Sequence, residues 1–184
     1  MRARKKLAAA GYARGFATTL VVGDRPEDRA QANIVRATLA RAGVLARVST
    51  VPIALLYEDH YEVPGAGAGM GIATWCADWP GLAGRGALQP LVDGRVLRPL
   101  GNTDYSGLNE GGLDRAMDAA SVAADRPAAA ADWQAADARA EGLWAVVPLA
   151  HLRRESPLGE RVRGFVPHPF FIFGDLTAVW LQPS

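Results

Sequence analysis

The run Trp75-Cys76-Ala77-Asp78-Trp79-Pro80 sets a carboxylate and a thiol between two indoles. Set just after an apolar run and just before a turn, it reads as a pocket wall. The same acid in apolar surroundings would have a raised pKa fit for general-acid work, and Cys76 beside a histidine base would suit acyl transfer. A blander alternative has both tryptophans filling core and Asp78 capping a helix that starts near Leu82. Further titratable groups are Glu58, Asp59 and His60 in one run, with His151 and His168 near the end of the chain. The catalytic candidates are therefore Asp78, Cys76, Glu58 and His60. His60 and Tyr61 are expected on a solvated helix face, and His168, between two prolines, in a turn. No H-E-x-x-H or other ligand spacing calls for zinc, and no cofactor is implied.

The elements that must position these residues follow from periodicity and punctuation. Ala3 to Ala10 reads as a short helix stopped at Gly11, and Phe16 to Val22 as a strand. Asp24-Arg25-Pro26-Glu27 combines an N-cap acid, a proline at the first helical position and a glutamate three residues after the cap. The helix should run to about Ala42, with Ala30, Ile34, Val35 and Leu39 inward and Arg29, Arg36 and Arg41 outward, and stop at Gly43. Val44 to Val51 then gives a second strand, and a strand–helix–strand unit of this length implies parallel pairing.

Ile53 to Glu62 looks helical, and Met70 to Trp75 reads as a short buried strand whose end would carry Asp78. The glycine-rich run 64–69 between them lacks the lysine of a phosphate-binding loop. Leu82 to Val92 is a further helix candidate, and 101–107 is loop, rich in turn-formers. Asn109 or Asp114 should begin a helix to about Ala124, and Pro127 another to about Gly142 with Trp133 turned toward a core, making a helical hairpin. Leu143 to Leu149, Val162 to Val166 and Leu176 to Leu181 are strand candidates.

A chain of 184 residues, 49% hydrophobic and 21% charged, suits one globular domain covering 1–184. Twenty basic against 19 acidic residues leave no net field to attract nucleic acid or an anionic membrane, and no segment reads as a membrane span or an export signal. One cysteine excludes an internal disulfide.

Taken in order, several pieces resemble the C-terminal lobe of family 5 extracellular solute-binding proteins, the oligopeptide and dipeptide receptors of ABC importers. Leu7 to Phe16 resembles the family's entry helix, Leu20 to Gly23 the next strand, and Ala30 to Gly43 the helix after it. Trp75-Cys76-Ala77-Asp78-Trp79-Pro80, the loop Gly101-Asn102-Thr103-Asp104-Tyr105-Ser106, the helical hairpin, Val146-Val147-Pro148-Leu149, Val162-Arg163-Gly164-Phe165 and the 169–176 tail follow collinearly.

The resemblance implies an α/β fold: a single domain with a mixed, partly parallel sheet flanked by helices, like one lobe of a type II periplasmic-binding protein. It also implies a peptide or small-molecule ligand, with Asp78 pairing to a free α-amino group between Trp75 and Trp79, and with Asn102 and Tyr105 on the matching cleft loop. Receptors of this kind carry a larger N-terminal lobe, an export signal and a lipid-bearing cysteine. The chain is then either a piece of a receptor, extracellular or membrane-associated, or a stand-alone lobe that is cytoplasmic as written. In the latter case it would serve as an enzyme or accessory protein, for instance in a natural-product pathway. A lobe standing alone would also expose a cleft wall of Trp75, Trp79, Phe170, Phe171 and Phe173 for a second copy or a partner protein to cover.

Overall fold

A computed structural model describes residues 2–63, 69–76, 84–153, 155–168 and 174–183. The chain packs as two compact units, Met1–Thr74 with Asp93–Asn109, and Trp75–Val92 with Glu110–Ser184. The first is built on a parallel sheet flanked by helices.

In the first unit, helix α1 (Arg2–Ala9) leads through Gly11 and Gly15 into strand β1 (Phe16–Gly23). Helix α2 (Pro26–Ala42) then crosses to strand β2 (Val44–Val51), which pairs parallel with β1 from Phe16↔Val44 to Gly23↔Val51. On its other edge β1 pairs parallel with β3 (Met70–Gly71), so the order is β2-β1-β3. Because β1 is central, the side chains of its second half are buried on both faces. Leu20 and Val22 pack with Ala32 of α2 and Ala46, while Val21 packs on the opposite face with Leu56 and Tyr61.

Helix α2 starts and stops where expected, but two details differ. Pro26 forces the residue before it into an extended conformation, so Arg25, at φ −67° and ψ 148°, takes the N-cap position without a side-chain cap bond. Asp24 instead accepts a 3.1 Å bond from the Ile53 N–H, tying the end of β1 to the start of helix α3 (Ile53–Leu56). The buried stripe is also rotated from the expected one. Ala32, Val35 and Leu39 face the sheet, whereas Ala30 is exposed and Ile34 is 68% exposed. Close approach of helix to sheet at Leu20 and Val22 selects the small Ala32 over the larger isoleucine. Gly43 ends the helix at φ 99°, a left-handed conformation that favours glycine, and its N–H bonds Ala40 and Leu39 carbonyls.

Helix α3 does not continue as an α-helix. Tyr57–Tyr61 forms a π-helical turn closed by the Glu62 N–H on the Tyr57 carbonyl at 2.8 Å. The expected solvated face is corrected here for Tyr61, which is buried.

In the second unit, helix α4 (Gln89–Val92) is short, and helices α5 (Gly111–Ser121) and α6 (Arg126–Leu143) make the expected hairpin. Each helix buries one stripe: Leu113, Met117 and Ala120 on α5, and Trp133, Ala136 and Ala140 on α6. Spacings of three and four residues put each set on one face. Gly84 lies against the Trp133 ring so closely that a Cβ there would fall 2.6 Å from Cε3. The α5 cap is neither Asn109 nor Asp114 but Glu110, and Asp125 caps α6 through the Ala128 N–H at 2.9 Å.

The strand expected at Leu143 to Leu149 does not form. α6 runs on to Leu143, Trp144 closes it in a left-handed conformation at φ 60°, and no strand follows through 153. Pro148 removes a ladder donor in the middle of that run. Strand β4 (Val162–Arg163) pairs antiparallel with β5 (Trp180–Leu181), and Val166 bridges Asp175. The antiparallel pairing among the described residues is thus in this separate two-stranded sheet. No helix among the described residues is long and apolar enough to cross a membrane.

Candidate functional site

Strand β3 ends at Gly71, and just beyond it two tyrosine hydroxyls take over from the sheet ladder in bonding the main chain at Ile72 and Thr74. Tyr61 Oη donates to the Val21 carbonyl at 2.8 Å, contacts the Ile72 carbonyl at 3.2 Å and accepts from the Ile72 N–H at 3.0 Å. Tyr57 Oη accepts from the Thr74 N–H at 3.1 Å. Gly71 makes room for this, since a Cβ there would come within 2.6 Å of Tyr61 Cζ. Burial pushes the Tyr61 hydroxyl well above its ordinary pKa, so it remains a donor.

Tyr105 completes an aromatic cluster, with its ring centroid 5.7 Å from Tyr57 and 5.6 Å from Tyr61. The Tyr57 and Tyr61 rings meet edge to face at 5.4 Å. Burial likewise pushes the Tyr105 phenol up to about 12. The rings touch one another, so they form a packed wall and leave no slot between them.

The loop before Tyr105 is held by buried polar groups. Asn102 Oδ1 accepts from the Arg98 N–H at 2.7 Å, and Nδ2 donates to the Glu62 and Arg98 carbonyls. Its amide is thereby committed to main chain. Asp104 Oδ1 accepts from the Ser106 N–H, the Ser106 hydroxyl and the Gly107 N–H at 3.0, 2.7 and 3.0 Å. Its Oδ2 is buried without a partner among the described residues, and burial raises the pKa of the carboxyl. Glu58 is exposed and His60 half-buried, both on the π-helical turn.

In the second unit, Trp75 is half-buried and its indole N–H has no partner among the described residues, and Cys76 is a free, exposed thiol. Asp78, Trp79, Phe170, Phe171 and Phe173 lie outside the described residues. His151 is exposed and His168 half-buried. Among the described residues no three His, Cys, Asp or Glu side chains gather to hold a metal ion. A hollow of about 340 Å³ at the α5–α6 corner, floored by Trp133, contains none of the candidate residues.

Tyr57 and Tyr61 were not among the candidates. Their four-residue spacing on an apolar-flanked helix was the available signal, since that spacing puts both rings on one face.

The fold resembles a single lobe of the family 5 peptide and dipeptide solute-binding proteins. The likeness extends over nearly the whole chain. It is similar to clavulanic acid biosynthesis oligopeptide binding protein 2 at 28% identity and a TM-score of 0.84, over 98% of this chain and 33% of that one. HbpA2 from Haemophilus parasuis matches at 26% identity and 0.74, over 99% and 35%. A dipeptide binding protein from Pseudoalteromonas sp. SM9913, in complex with Met-Leu, matches in fold at 18% identity and 0.78, over 97% and 35%. The chain therefore spans about a third of the length of each of these three proteins. No protein-family model and no curated protein matches it.

Proposed function

We propose that this chain is a ligand-binding lobe that takes a peptide or small molecule bearing a free amino group at the wall Trp75 to Trp79. The observation that carries this reading is the 28% identity, sustained over 98% of the chain, to a protein named for oligopeptide binding. In the proposed complex the Asp78 carboxylate meets the ligand ammonium, and Trp75 and Trp79 flank it. An ammonium leaving water needs a fixed counter-charge, and neighbouring rings reduce screening and attract the cation. The half-buried Trp75 indole, with its spare N–H, adds a donor for a ligand carbonyl.

The test is calorimetry of the chain with short peptides whose N-termini are free or acetylated. Free peptides should bind and acetylated ones should bind far more weakly. Asp78→Ala should cost about 2–5 kcal/mol of affinity while the circular dichroism spectrum stays that of the parent. Equal affinity for both peptide sets, or for both proteins, removes Asp78 from the role.

A second reading is favoured by the name of the same neighbour, which places that protein in clavulanic acid biosynthesis. Here the chain serves a biosynthetic pathway as an accessory or enzyme that uses the same wall. Turnover of an amine-bearing pathway intermediate by the parent, abolished in a folded Asp78→Ala variant, would distinguish it from plain binding.

A further inference from the structure

The near balance of charge over the whole chain conceals a segregation. Residues 1–23 and 29–57 hold nine basic side chains and no carboxylate side chain. The three acids between those stretches are engaged: Asp24 accepts the Ile53 N–H, and Glu27 and Asp28 pair with Arg25. Helix α1 carries four of the nine cations, Arg2, Arg4, Lys5 and Lys6, and none of its residues is fully buried. With about 100° between successive helical residues, Arg2, Lys5 and Lys6 share one exposed face. Arg4 lies off that face and donates to the Arg41 carbonyl at 3.1 Å, which brings Arg41, exposed in the last turn of α2, beside α1. Arg14 sits in the turn that follows α1, closed by the Gly15 N–H on the Tyr12 carbonyl at 2.8 Å. No carboxylate among the described residues forms an ion pair with Arg2, Lys5, Arg14 or Arg41.

Cations gathered without counter-charges repel one another, and an anionic partner relieves that repulsion. Beside them Tyr12 and Phe16 are exposed, with ring centroids 5.2 Å apart and planes tilted by 54°, too close for a nucleic-acid base to slide between. Leu45, 63% exposed and level with Ala17 in the β1–β2 ladder, adds an aliphatic side chain at the same end of the sheet. Aromatic and aliphatic groups beside basic ones suit the headgroup layer of a bilayer, where rings rest at the interface and cations meet phosphates. We propose that the α1 end of the first unit is a docking surface for anionic phospholipid, on which α1 lies with Arg2, Lys5 and Lys6 toward the headgroups. An exposed eight-residue helix has little stability of its own in water, and this contact would supply part of it. The surface lies wholly in the first unit and uses no residue of the amine-binding wall.

Co-sedimentation of the chain with vesicles of equal parts phosphatidylglycerol and phosphatidylcholine, against vesicles of phosphatidylcholine alone, tests this. Binding should occur on the anionic vesicles only and weaken as salt shortens the screening length from about 10 Å at 0.1 M to about 3 Å at 1 M. Arg2→Gln with Lys5→Gln and Lys6→Gln keeps good helix formers and should weaken partitioning at least about tenfold. Arg115→Gln with Arg126→Gln and Arg153→Gln removes the same charge from exposed positions of the second unit and should leave partitioning within about twofold of the parent. Equal losses in the two triple variants overturn the proposal, because net charge then decides the binding. So does binding to both kinds of vesicle alike, binding to neither, or tighter binding to duplex DNA than to the anionic vesicles. The comparison of vesicles and salts uses the parent chain and needs no variant to fold.

Discussion

Arg139 of α6 grips the Glu110 carboxylate through Nε and Nη2 at 2.8 and 3.0 Å, while the same carboxylate caps the Gly112 and Leu113 N–H groups at the start of α5. One acid thus serves as helix cap and as the link that holds the hairpin's two helices in register. The Arg139 guanidinium, and next the Gly112 N–H, hold the Glu110 carboxyl down at about 2, against an ordinary value of 4.5.

A pKa lowered by folding gives stability that is complete above the unfolded value and fades as pH falls through the folded one. Arg139→Ala should therefore lower the thermal midpoint at neutral pH. Its gap from the parent should narrow between about pH 4.5 and about pH 2, as the parent carboxylate is protonated. A gap that is constant with pH would assign the loss to packing of the arginine stem instead. Thermal unfolding followed by circular dichroism across that range makes the measurement.

Tyr61→Phe keeps the ring and deletes a hydroxyl that serves three main-chain groups. The expected loss is about 1–3 kcal/mol, because the buried Val21 carbonyl and the Ile72 N–H are left unpaired. Tyr57→Phe removes one bond only and should cost about 0.5–1.5 kcal/mol. Urea midpoints at unchanged slope would give both values.

Asn102→Ala separates a role in the fold from a role in binding. With its amide committed to Arg98 and Glu62, the substitution should cost about 1–3 kcal/mol of stability and leave peptide affinity near that of the parent. Lost affinity at unchanged stability would restore Asn102 to the ligand.

Asp104→Asn probes a carboxyl whose pKa is raised by burial. Because the folded value exceeds the unfolded one, ionisation works against folding as pH rises past the ordinary 3.8. The asparagine variant should gain on the parent in denaturant midpoint from acid toward neutral pH. A difference independent of pH would show that hydrogen-bond loss dominates.

The framework of the first unit was readable because its signals are local: Pro26 and Gly43 bracket α2, and alternation with branching marks β1 and β2. Misreadings arose where a distant partner decides the outcome. Asp24 has the chemistry of a helix cap, yet its oxygen goes to Ile53, 29 residues away, and Arg25 takes the cap because of the proline after it. Ile34 has the hydropathy of a core residue, but the fit against Leu20 and Val22 chooses Ala32. At the candidate site, Tyr105 and Asn102 were singled out from their loop, while the tyrosines that hold Ile72 and Thr74 were passed over. Their role rests on hydroxyl-to-main-chain bonds across 11 and 17 residues, which no local pattern encodes. The apolar run after Leu143 reads as strand because hydropathy cannot say whether a neighbour is there to pair with it.

The widened turn at Tyr57–Tyr61 restricts this stretch in length more than in lettering. Successive residues of an α-helix are turned by about 100°, so removing one of Glu58, Asp59 or His60 would rewind the turn and carry the Tyr61 phenol away from Val21 and Ile72. The identities of those three residues are free to drift, whereas their number is fixed.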